Sequence, residues 1–257
     1  MSTSTDLRFG PVALRVEGPA VHPLLDPYRA PATPGARRVV VSVADALPAG
    51  THPATAEVGF ALVAHADHDH VTLRGDAGRH TPWLASLCEV VARDAPTHGC
   101  LLLHAGAVTV DGGAALLVAP PGVGKTTAVR AAGERAFASN AVLIDLSAAG
   151  SPLVWAMPFT REPAPELESD RALPLVAVAF VQRAPEAGVE WIAASLATMR
   201  LMPHVTRPRG DDPHARARTE LALSLGGGVA TLRLGLPWGP GYLGALDAAL
   251  HPKTSPA

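Results

Sequence analysis

One segment constrains this chain more than any other: Ala119-Pro-Pro-Gly-Val-Gly-Lys-Thr-Thr127. It matches the pattern G-x-x-x-x-G-K-[ST], with alanine in place of the first glycine. An apolar run, 114–118, leads into it, and a helix predicted from Thr126 to about Glu134 leads out. Phosphate binding asks three things of such a loop. Gly122 and Gly124 must let backbone N–H groups wrap an anion closely. The helix must direct its positive dipole end at that anion. Lys125 must reach the β and γ phosphates while the Thr126 hydroxyl meets Mg²⁺. The chain holds only two lysines, Lys125 and Lys253, so an ammonium here is singled out against a background of arginine. The expectation is a soluble protein binding ATP and Mg²⁺ through Pro121, Gly122, Val123, Gly124, Lys125, Thr126 and Thr127. No base-reading motif separates ATP from GTP.

Composition excludes several alternatives. Of 257 residues, 48% are hydrophobic, enough for one large domain or a main domain with an appendage. The net charge of −2 supplies no basic stripe, so nucleic acid is not an expected partner. Cys88 and Cys100 make neither a disulfide framework nor a CxxC metal pair. The N-terminus lacks a basic start and apolar run, and the longest apolar stretches are interrupted by His, Gly or Pro. A cytoplasmic chain with no membrane partner is the reading.

Residues 1–95 read as a strand-rich region with a linking helix. Its apolar runs are 14–16, 39–43, 57–63 and 71–73, with a loop at 31–35. The linking helix is predicted over 81–93, with Thr81 as N-cap, Pro82 at the first turn, and Trp83, Leu84, Leu87, Val90 and Val91 on one face. Residues 96–250 read as the nucleotide-binding domain and 251–257 as a disordered tail. In that domain 101–110 reads as one continuous strand, Asp111-Gly112 as a hairpin turn and 114–118 as its partner. Further strands are predicted at 141–144, 173–181 and 229–234, and helices at 191–204 and 213–226.

If Asp111-Gly112 forms the turn, Val110 faces Gly113 and His104 falls opposite Ala119, beside the loop. His104 is then either a functional group near the phosphate or a core histidine satisfied by backbone. Asp145, ending the 141–144 run, has the shape of a metal-holding Walker B carboxylate; the plainer reading is a strand-end turn. The segment from His65 to His70 departs from the H-x-H-x-D-H zinc pattern at Asp67 and reads as a hairpin tip. Arg161-Glu162 reads as an exposed ion pair, and Arg207-Pro-Arg209-Gly-Asp-Asp212 as a charged loop.

The run Leu103-His104-Ala-Gly-Ala, followed by Gly113-Ala-Ala-Leu-Leu-Val and the loop, resembles the HPr kinase/phosphorylase family, and more particularly the HPr-kinase-like proteins of peptide-modification gene clusters. Weaker echoes are Trp155-Ala-Met-Pro-Phe159 and Leu201-Met-Pro-His-Val205. The resemblance is specific over 100–145 and loose to about 235. It implies the mixed-sheet P-loop α/β fold shared with phosphoenolpyruvate carboxykinase. It also implies transfer of a phosphoryl group from ATP to a serine-type hydroxyl on a small protein or precursor peptide, with His104 near the transferred group. The family carries an acidic pair after the loop's helix; here Ser139 and Asn140 stand in that place, and neither is a carboxylate base. His104 and Asp145 are the remaining candidates for proton handling, and Thr126 and Asp145 for the metal. Three functions stay open: a phosphotransferase, a nucleotide-binding accessory protein with weak catalysis, and a simple ATPase. An oligomer fits any of them.

Overall fold

The computed structural model describes residues 3–19, 21, 23–65, 67–75, 80–148, 150–159, 171–237 and 239–251. The fold is mixed α/β, with two mixed sheets and helices packed against them. The first sheet comprises β1 (Thr3–Phe9), β2 (Val12–Gly18), β3 (Arg37–Ala44), β4 (Phe60–Ala64) and β5 (His68–Arg74), in the order β1-β2-β3-β5-β4. A short helix α1 (Pro53–Val58) precedes β4, and α2 (His80–Asp94) leads out of this region.

The second sheet takes its strands from the rest of the chain. They are β6 (Cys100–Leu103), β7 (Gly106–Val110), β8 (Gly113–Val118), β9 (Ala136–Ala138), β10 (Val142–Asp145), β11 (Leu153–Ala156), β12 (Ala172–Arg183), β13 (Val189–Trp191) and β14 (Thr231–Leu236). The main path runs β6-β10-β11-β12-β8-β7-β9, and β14 joins β12 with β13 outside it. β12 is the hub. Its first residues pair antiparallel with β11, and from Leu175 it runs parallel to β8 and then β14.

Alternation along the strands explains the layers, because successive side chains point to opposite faces. Leu101 and Leu103 pack with Leu116, Val178, Ala197 and Leu225, under α4 (Ala194–Leu201) and α5 (Ala215–Gly228). Cys100 and Leu102 point the other way, into a core shared with Phe9, Trp83 and Leu87 of the N-terminal region. Farther along the sheet, Leu117 and Leu234 pack with Val129, Tyr242 and Leu246 of α3 (Lys125–Ala131) and α6 (Tyr242–Leu250).

Several sequence-based expectations need correcting. The single strand expected over 101–110 is two strands, β6 and β7, which pair with different neighbours. The break falls at His104, whose N–H donates to the His204 carbonyl (2.8 Å) instead of to a ladder partner. The strand expected from residue 57 is preceded by helix α1, ended by Gly59 in the left-handed region (φ 100°). The loop's helix stops at Ala131, three residues early, and a 3₁₀ turn follows with Gly133 at φ 59°. Trp191 ends a strand and does not begin a helix; the helix starts at Ala194 and gives way to a 3₁₀ turn at Met202–His204. Arg161 and Glu162 lie outside the described residues, as does the tail beyond His251.

The hairpin is found in the expected register. Val110 pairs with Gly113 and the ladder runs to Gly106–Leu117, with Asp111 (φ 44°) and Gly112 (φ 75°) forming the turn. Two consecutive positive φ values make a primed turn, whose twist matches that of the strands.

Candidate functional site

The site forms where β8 ends. β8 is buried along its whole length and delivers Ala119 to the carboxyl edge of three parallel strands, β8, β12 and β14. In open α/β sheets, ligands settle at this edge. The loop then turns back on itself with Gly122 at φ 83° and Gly124 at φ 104°, values that cost little only for glycine. α3 starts directly at Lys125, and Tyr242 from α6 pins it by donating to the Ala128 carbonyl (2.9 Å).

Lys125 is 5% exposed, and its ammonium donates to the Ala119 carbonyl at 2.7 Å, closing the loop from residue 119 to residue 125. Burial lowers its pKa. No carboxylate pairs with it among the described residues, so one carbonyl is its only partner there. Thr126 is half-buried and Thr127 exposed, and neither hydroxyl is engaged within the described residues. Val123 is half-buried, and Pro121 lines the adjoining cleft.

His104 reaches the same place from the other side. It lines an open cleft of about 710 Å³ together with Ala119, Pro120 and Pro121. Burial first, then the Lys125 and His204 charges, lower its pKa to about 4, so the imidazole is neutral at pH 7. His204 comes from the turn after α4 and also lines the cleft; burial and Lys125 lower its pKa too. Backbone pairing brings the two histidines together. The stretch around Val205 lies along β6, with Leu103 bridged to Val205 and the Thr206 N–H donating to the Leu102 carbonyl (2.8 Å).

Asp145 is not part of this assembly. Its Oδ1 accepts from the Ser147 N–H (2.9 Å) and the Ser147 hydroxyl (2.6 Å), a side-chain turn at the end of β10. On β6 it lies opposite Cys100, four residues before His104. Asp145 is turned onto Ser147 and is not among the residues lining the cleft beside the loop.

Ser139 and Asn140 do lie at the loop end. β9 pairs with β7, Ala138 opposite Ala107, and the next residues continue past Gly106. The Asn140 amide donates to the Phe159 carbonyl (3.1 Å). Glycine at 106 has a local cause, since a Cβ there would stand 2.7 Å from Val129 of α3. The residues present thus suit a phosphate chain, but among the described residues none beside the loop is a carboxylate for Mg²⁺; Thr126 is the one contact the motif supplies.

Two site residues were not singled out by sequence reasoning. His204 stood in the quoted Leu201-Met-Pro-His-Val205 run but carried no role. Arg183 had no signal at all. It ends β12, three residues past the Phe180–Val118 pair, and a Cβ on Gly124 would lie 2.6 Å from its guanidinium. That contact is a second reason for glycine at 124, besides its φ.

No group of three or more metal-ligating side chains is assembled among the described residues. His65 and His68 stack at 4.4 Å, His68 pairs with Asp67, and Asp69 is held by Arg37. No helix of the described residues is long and apolar enough to cross a membrane. None of the curated proteins compared with the chain matches it. A family model described as SynChlorMet cassette protein ScmC does match, over residues 79–206. That span is just under half of the chain and takes in the loop, His104 and His204, so the likeness to this family falls on the candidate site.

Proposed function

We propose that the 119–127 loop is a P-loop that holds the phosphate chain of ATP, and that the protein is an HPr-kinase-like phosphotransferase acting on a serine-type hydroxyl of a protein or peptide. One observation carries the reading: a turn with two left-handed glycines, closed by a buried lysine bound to the loop's own first carbonyl. A phosphate entering the loop offers that ammonium stronger, charge-assisted acceptors than a single carbonyl. Arg183, packed on Gly124, adds a second cation at the rim.

His104 suits the proton step. The acceptor oxygen attacks the γ phosphorus, the bond to the β-phosphate oxygen breaks, ADP leaves, and the hydroxyl proton passes to an imidazole that is neutral at pH 7. Mg²⁺ would come with the nucleotide and screen its charge, with Thr126 as its protein contact.

The second reading, a nucleotide-binding accessory protein with little catalysis, is favoured by Ser139 and Asn140 standing where the family's acidic pair would be. Binding of a fluorescent ATP analogue and single-turnover reactions with γ-labelled ATP test both readings. Lys125→Ala is expected to lose at least tenfold in affinity with unchanged thermal stability; equal affinity refutes the loop assignment. His104→Ala is expected to keep affinity and lose turnover. Tight binding by the wild type without label transfer supports the accessory reading.

A further inference from the structure

The cleft beyond His104 has a composition of its own. Its buried floor is apolar, with Val118 and Phe180, and Pro203 and Met199 stand exposed at its rim, Met199 72% exposed. Its polar lining is two imidazoles, an amide, a hydroxyl and two guanidiniums; among the described residues it contains no carboxylate. Arg233 is already engaged by Glu190 (2.8 Å). Arg200 is not. It is half-buried, lines the cleft from α4, and has no hydrogen-bond or ion-pair partner among the described residues.

We infer that this cleft seats the acceptor, and that the acceptor is a peptide segment carrying an acidic residue close to its hydroxyl, read by Arg200. The inference rests on the phosphotransfer reading and adds the acceptor's class. An apolar wall with an exposed methionine takes up side chains of varied shape. A partly desolvated guanidinium without a partner gains most from a planar carboxylate, which it can grip with two hydrogen bonds. The same group discriminates against a neutral acceptor, which would cover the charge without compensating it. His104 lines the seat together with Ala119, Pro120 and Pro121 of the loop, so a hydroxyl held there faces the phosphate site.

A positional-scanning library of serine peptides, phosphorylated by the full chain with γ-labelled ATP, tests the inference. The expected result is a preference of about tenfold for Asp or Glu over Asn or Gln at one flanking position. Arg200→Gln should bring that ratio close to one while ATP affinity stays within twofold, and Arg200→Lys should retain part of it. A wild type indifferent to acidic flanks, or an undiminished preference in Arg200→Gln, overturns the inference and leaves the kinase reading standing. ATP binding with no peptide labelled overturns the acceptor seat and phosphotransfer together. Failure to bind ATP removes the nucleotide reading beneath both.

Discussion

At the scale of single residues, the site is a problem of charge in a confined space. Burial raises the cost of protonating His104, and the Lys125 and His204 charges add to it. The unfolded chain has no such cost, so between pH 6.5 and about 4 it binds a proton that the native state refuses. Native stability at this position therefore falls as pH drops through that window, and is complete above it. Urea midpoints at pH 7 and pH 5 check the sign, since His104→Gln should lose less stability across that step than the wild type. A bound polyphosphate acts in the opposite direction, favouring the imidazolium. The His104 ring resonance, followed by NMR, should titrate near 4 in the free protein and higher with ATP.

At the scale of elements, the charged segment 207–212 is a fastening. The Arg209 N–H donates to Glu89 of α2 (2.8 Å). Arg218, 3% exposed on α5, pairs with Asp212 and donates to the Ala92 carbonyl (2.6 Å). Together these clasp the connection between α4 and α5 to α2, directly after the stretch that sets His204 beside His104. Removing one partner of a buried pair strands the other, so Arg218→Ala is expected to cost about 3 kcal/mol in urea unfolding. A cost below 1 kcal/mol would show that the clasp contributes little. The segment's charge pattern reads as a loop, correctly as to its path. Its partner on α2, Glu89, lies 120 residues upstream, beyond the reach of a local pattern.

At the scale of the molecule, the N-terminal sheet and the central sheet share one core. Phe9, Tyr28 and Trp83 pack in the same cluster as Leu102, Leu143, Met157 and Phe159, and the Gly10 turn rests on the Trp155 ring. A cut after residue 95 would expose the far face of β6 and β10. The full chain should accordingly unfold in one cooperative urea transition, with near- and far-ultraviolet circular dichroism coincident; two separated transitions would mean independent domains.

What the amino-acid sequence determined by itself was local. The loop and its lone non-tail lysine, the hairpin with its register, and the apolar face of α2 all follow from turn chemistry and from periods of two and 3.6, which act over a few residues. Tertiary structure alone decided the rest. It split the apolar run 101–110 between two neighbours, because each half buries a different edge. It brought His204 to His104 and Arg183 to Gly124, and it turned Asp145 onto Ser147. Such choices depend on which strand edges and faces the whole chain can cover at once, a global condition that no short window of residues contains.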